Sequence, residues 1–213
     1  MNLREGGADL AATGPSGPQA NLMQTKEKLI LDAQHLYWLG KENKPGFSEI
    51  CANIGFPKNK FWTEDGRAEG QALHQWLLFL AQGNVPAEEP DPRIAGRVRG
   101  IQKFFRDHDF EFVGEETPLY CPSMGYCVTP DLWGRLDGVR TVIEAKRGAK
   151  MKRYFLQTAA QSMALKENGF DVEARLGLYL KDDGYTPEPH EDDEDFECWA
   201  AIVSGYHAKA RYL

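Results

Sequence analysis

Long apolar runs are missing from this chain. Residues 76–81 form a stretch of six, far below the roughly 20 that a membrane-spanning helix needs, so no membrane partner is expected. The N-terminus has no basic segment followed by an apolar one, so no secretory signal is expected either. CxxC pairs are also missing. The four cysteines, at 51, 121, 127 and 198, read as reduced thiols of a cytoplasmic protein rather than as a disulfide framework. No repeat recurs along the chain, which removes solenoids and propellers. Nor is there an excess of positive charge: 25 Lys and Arg stand against 32 Asp and Glu, a net charge of −7. That argues weakly against a nucleic-acid partner. Seven of the acids, however, crowd into positions 188–197. The rest of the chain is neutral and can carry local basic clusters, and the field near a cleft matters more than the total.

What is present is an ordinary globular composition, 42% hydrophobic and 27% charged over 213 residues, suited to a single domain with its own core. Residues 1–20, with four Gly and two Pro, read as a disordered tail, leaving one domain over 21–213. Apolar spacing predicts helices over 22–39, 67–82 and from the Asp91-Pro92 start to about residue 108, and a short helix over 48–54 near a capping Ser48. Residues 57–66 read as a loop. Strand signals cover 110–120, 126–136 and 139–146. A helix over 152–168 follows, then strands over 174–181 and 196–203, with 182–197 as a mobile acidic loop. The order implies an α/β domain with a mixed sheet.

The chemistry concentrates in residues 129–146. Asp137-Gly138 is a strong two-residue hairpin signal. With those two as the turn, Leu136 faces Val139, and the register runs out to Asp131 opposite Glu144. Directly opposed side chains share one face, with Cβ atoms about 4.5–5.5 Å apart. Lys146, two residues beyond Glu144, points the same way. Two opposed carboxylates repel unless a cation lies between them. Lys146 supplies one charge, and a divalent ion would supply more. An oxygen-rich, incomplete ligand set suits Mg²⁺ or Mn²⁺ beside a phosphate substrate, with the Ala145 carbonyl as a further oxygen. A surface ladder of ion pairs is the plain alternative for the same residues.

Pro130-Asp131 followed by Glu144-Ala145-Lys146 resembles the motif of the PD-(D/E)XK nuclease superfamily. The run from Tyr126 to Gly138 is similar to its RecB-like and phage exonuclease branch. The resemblance covers about residues 48–203. It implies a restriction-endonuclease-like core, with a central mixed sheet flanked by helices, and a Mg²⁺- or Mn²⁺-dependent deoxyribonuclease of recombination and repair type.

The resemblance also assigns roles. Glu69-Gly70-Gln71-Ala72-Leu73-His74 resembles the Gly-x-x-x-His helix of that branch, whose His is a metal ligand. His74, Asp131, Glu144 and Ala145 would then hold the ion, and Lys146 would assist attack by water. Glu115, on the first core strand, is the accessory acid, with Glu116 beside it as the other choice. Gln157 and Gln161 resemble the family's Q-x-x-x-Y helix, except that Gln161 stands where Tyr is usual. Gln157 is therefore carried over as a catalytic residue and Gln161 is not.

Arg147, Lys150, Lys152 and Arg153 form a basic loop beside this site, suited to DNA phosphates. Trp133 and Tyr154 are either stacking partners or packed aromatics. Iron–sulfur members of the branch carry three cysteines near the C-terminus; only Cys198 lies there, so no cluster is expected. A catalytically idle DNA-binding or assembly protein on the same fold, or a structure-specific endonuclease, are the rival readings.

Overall fold

Asp137 and Gly138 turn the chain through positive φ angles of 51° and 84°, as a type I′ hairpin turn requires. The Asp137 carboxylate holds the turn from outside, accepting from the Asp109 amide at 2.9 Å and pairing with His108 Nδ1 at 2.7 Å. In the computed structural model, which describes residues 28–56 and 63–213, this turn joins β7 (Leu132–Leu136) to β8 (Val139–Lys146). Their pairing runs from Leu136 with Val139 to Leu132 with Ile143, the register expected from the sequence.

Five strands make the main sheet. They are β4 (Phe110–Glu115), β7, β8, β9 (Ala174–Lys181) and β10 (Gly184–Pro189), in spatial order β10-β9-β8-β7-β4. Only β8 and β9 run parallel, with α4 (Arg153–Glu167) connecting them. Alternate residues point to opposite faces of a strand, and helices cover both. Leu132, Ile143, Leu176 and Leu178 pack against Leu73 and Leu77 of α2 (Glu64–Ala81) and Val98, Ile101 and Phe104 of α3 (Ala95–Asp107). Trp133 and Val142 pack with Ala160, Ala164 and Leu165 of α4, Trp199 and Val203 of α5 (Glu194–Tyr212), and Ile50 of α1 (Phe47–Asn53). Each fully buried Leu, Ile or Val contributes about 1.5–3 kcal/mol. Gly100 lets α3 lie against the β9–β10 turn, since a Cβ there would come within 2.2 Å of the Gly184 carbonyl oxygen. The protein is thus a mixed α/β domain with a five-stranded mixed sheet between helices.

Several elements differ from the sequence reading. Within 22–39, residues 22–27 lie outside the described residues, as do the predicted tail 1–20 and positions 57–62 of the predicted loop 57–66. The remainder is not a helix but strands: β1 (Leu29–Leu31) and β2 (Tyr37–Leu39) pair antiparallel, and β3 (Glu42–Lys44) completes a small meander. Asp32 decides this. Its Oδ1 accepts from the amides of Gln34 (2.8 Å) and Leu36 (2.9 Å), and its Oδ2 from Trp38 Nε1 (2.9 Å). A side chain that satisfies the backbone in a turn competes directly with a helix.

Helix α2 starts three residues early, at Glu64, because Thr63 accepts from the Gly66 amide at 3.1 Å and caps it. Residues 110–120 and 126–136 each break in two. The outer pieces β5 (Leu119–Cys121) and β6 (Tyr126–Val128) form their own two-stranded sheet.

The largest correction concerns the C-terminal region. Residues 184–189 are strand β10, and the expected strand over 196–203 is part of the 19-residue α5. Glu194, Asp195 and Glu197 fill its first turn and Lys209 and Arg211 its last, matching the helix dipole at both ends. The acidic cluster is also tied inward. Buried Arg175 pairs with Asp195 at 3.0 Å and donates to the Asp192 carbonyl at 2.6 Å. Among the described residues, no helix is long and apolar enough to cross a membrane.

Candidate active site

The site lies where β8 ends, between α2 on one face of the sheet and α4 on the other. Leu132 and Ile143 are the last ladder pair on this side, and one step beyond come Asp131 and Glu144. Glu144 is 1% exposed. Three donors meet its carboxylate: Lys146 Nζ and Gln157 Nε2 (2.7 Å) on Oε1, and Gln161 Nε2 (2.6 Å) on Oε2. Gln157 and Gln161 reach it together because they are one helical turn apart on α4. Asp131 accepts from the Ala145 amide at 2.8 Å through Oδ2 and lies 3.7 Å from His74 Nδ1 through Oδ1. The same nitrogen, His74 Nδ1, is 3.3 Å from Glu116 Oε1.

Burial, and then the neighbouring Glu144, push the Asp131 pKa up to about 6. The Asp131 charge in turn raises His74 to about 9 against the opposing effect of burial, so without bound metal the imidazole is protonated at neutral pH. For Lys146, burial alone would lower the pKa. The carboxylates of Glu144 and Asp131 outweigh it and hold the group above an ordinary lysine. Lys146 is therefore an ammonium, with its charge also set over the Tyr154 ring at 4.8 Å.

Asp131, Glu144, Lys146, His74, Ala145 and Gln157 are thus brought together. The accessory acid differs from the first choice. Glu115 turns away to Gln82, which donates to it at 3.2 and 3.3 Å, while Glu116, at a positive φ of 29°, faces His74. Gln161, not carried over from the sequence, holds half of the Glu144 carboxylate. Its signal was present as the i, i+4 spacing from Gln157. Gly70 of the Gly-x-x-x-His stretch answers no packing need, since a Cβ there would meet nothing within 4 Å.

Trp133 is 7% exposed and Tyr154 8%, so both are packed aromatics rather than open stacking faces. In the basic loop, Arg147 pairs with Glu69 of α2 at 2.7 Å and Lys150 with Glu188 of β10 at 2.8 Å. Arg153 lies 5.5 Å over the Tyr154 ring, and exposed Lys152 directly precedes α4. The loop is therefore latched on both flanks by carboxylates that a phosphate backbone would have to replace.

The donor set suits a hard divalent ion: carboxylate oxygens and one imidazole nitrogen, with Glu144 buried and Asp131 largely covered. Among the described residues no three His, Cys, Asp or Glu side chains already stand in a ligand shell, and Glu144 is occupied by its three donors. Cysteines take no part; Cys51, Cys121 and Cys127 are buried and Cys198 is exposed, all as free thiols. No family model matches the chain and no curated protein matches it.

Proposed function

We propose that this protein is a Mg²⁺- or Mn²⁺-dependent deoxyribonuclease with a restriction-endonuclease-like core, acting as an exonuclease in recombination or repair of DNA. The observation that carries the reading is buried Glu144 with the Lys146 ammonium on its carboxylate and the largely covered Asp131 beside them. Taking carboxylates and an ammonium out of water costs stability, and groups perturbed in this way gather at functional sites. His74, Asp131, Glu144 and the Ala145 carbonyl would hold the ion, which when bound acidifies water and stabilises charge on a phosphoryl oxygen.

In hydrolysis, a water oxygen attacks phosphorus and the bond from phosphorus to one sugar oxygen breaks. The water gives up a proton to solvent and the departing oxygen takes one from solvent. Lys146, being protonated, acts by stabilising the extra negative charge of the pentavalent phosphate and by orienting water, not as a base. Gln157 and Gln161 hold the Glu144 carboxylate in place, and Gln157, on the more open side, orients substrate. The basic loop 147–153 supplies sequence-blind phosphate contacts.

The complete set of donors on Glu144 favours one second reading, a buried polar network on a non-catalytic DNA-binding protein. End-labelled linear, nicked and circular DNA, incubated with Mn²⁺ or with EDTA, separates the two. The nuclease reading expects metal-dependent release of nucleotides from linear DNA, lost in Glu144→Ala and reduced about 10²–10³-fold in Lys146→Ala. Full activity in purified Glu144→Ala rejects it.

A further inference from the structure

Residues 129–131 carry the chain from the two-stranded sheet into β7. Ladder pairing stops at Val128 and resumes at Leu132, so no ladder holds the segment that delivers Asp131. Asp131 is tied by its own side chain to the Ala145 amide. A further tie comes from far away in sequence. Tyr37 Oη and Thr129 Oγ1 are 2.9 Å apart and share one hydrogen bond.

Tyr37 belongs to β2 of the N-terminal meander, outside the span 48–203 that resembles the nuclease family. The meander is locked against β6 at this point. The Cys127 amide donates to the Pro45 carbonyl at 2.8 Å, and Gly46 forms a bridge with Cys127. Gly46 also makes room for the ring, since a Cβ there would come within 2.7 Å of a Tyr37 ring carbon. Burial raises the Tyr37 phenol, with smaller contributions from Cys127 and then Glu144.

We infer that Tyr37 is a positioning residue: through Thr129 it sets where Asp131 presents its carboxylate, making the meander part of the site. The inference rests on the reading of Asp131 as a metal ligand. A hydrogen bond of ordinary net strength corresponds to about three- to tenfold in an affinity that depends on it.

The test is calorimetric titration of the metal-free full-length protein with Mn²⁺, alongside melting curves. Tyr37→Phe and Thr129→Val should each weaken binding about three- to tenfold while remaining fully folded at the titration temperature. Thr129→Ser, which keeps the hydroxyl, should bind like the parent. The double variant should be no weaker than either single one, because both remove the same bond. Gly46→Ala, which displaces the ring, should reproduce the loss. Asp131→Asn serves as the control and should lose binding. The inference is overturned if Asp131→Asn loses Mn²⁺ while Tyr37→Phe and Thr129→Val bind normally, if the two losses add, or if they track partial unfolding. Unchanged binding in Asp131→Asn rejects the ligand reading itself, and the inference with it.

Discussion

Gln161 Nε2 donates to Glu144 Oε2 at 2.6 Å, from helix α4 to strand β8, with both residues 1% exposed. Inside the protein, a carboxylate oxygen deprived of its donor bears the full cost of its desolvation. Gln161→Met, similar in size but without a donor, should destabilise the metal-free protein by about 1.5–3 kcal/mol. Gln161→Glu should cost more, because it buries a like charge beside Glu144. Urea unfolding measures both, and an unchanged midpoint in Gln161→Met would show that the bond contributes nothing.

Metal affinity should depend on pH through His74. Its pKa of about 9 means that an ion taking the imidazole must displace a proton at neutral pH. Mn²⁺ binding should therefore tighten by up to about tenfold per pH unit from 7 toward 9 and level off above it. About one proton should be released per ion near pH 7.5, read by calorimetry in buffers of different ionisation enthalpy. His74→Ala should bind more weakly and lose most of this dependence. A steep dependence surviving in His74→Ala would remove His74 from the ligand set.

His190 should make the fold acid-sensitive. It is 2% exposed and lies 4.0 Å from the Phe155 ring. Thr158 Oγ1 donates to the Phe155 carbonyl, so it must accept from His190 Nδ1 at 2.8 Å, leaving Nε2 as a bare lone pair. Burial lowers the pKa from 6.5 to about 4. Between these values the unfolded chain binds the proton and the folded one does not. The contribution is present above pH 6.5 and is lost as pH falls through about 4, to the extent of on the order of 3 kcal/mol. Stability of His190→Gln followed over that range should fall less than the parent's. Parallel curves would refute the assignment.

The basic loop should govern DNA affinity rather than chemistry. Replacing Lys150, Lys152 and Arg153 together by Ala should weaken binding and flatten its salt dependence, by a slope of about 0.9 for each phosphate that is no longer neutralised. Glu188→Gln, which frees Lys150 from its 2.8 Å ion pair, should move affinity the other way. Binding isotherms at several salt concentrations, with EDTA present to block cleavage, decide this. An unchanged slope in the triple variant would take DNA away from this surface.

Much of the site was legible in the sequence because its logic is local. The Asp137-Gly138 turn and the period of two fixed by the pleat set the β7–β8 register and put Glu144 and Lys146 on one face, with Asp131 just beyond the last pair, Leu132 with Ile143. The i, i+4 spacing of Gln157 and Gln161 places both on one face of α4 for the same reason. Glu116 was not separable from Glu115, because the choice depends on a positive φ and on where Gln82, just past the end of α2, ends up. The acidic cluster misled because its charges looked like a solvated loop. Three of them, Glu194, Asp195 and Glu197, form the first turn of α5, and Asp195 is anchored by buried Arg175 from β9.

The sequence by itself determined the hairpin register, three of the long helices, α2, α3 and α4, and the common face of Glu144 and Lys146, since each rests on interactions within a few residues or on a fixed backbone period. Tertiary structure alone decided that 29–44 is a meander, that α2 brings His74 to Asp131, and that Tyr37 reaches Thr129. Three-residue strands carry little intrinsic preference and take their form from the surfaces they meet. A hydrogen bond spanning 92 positions leaves no trace in local spacing. It exists because packing against β6 holds the meander where the Tyr37 hydroxyl meets the approach to Asp131.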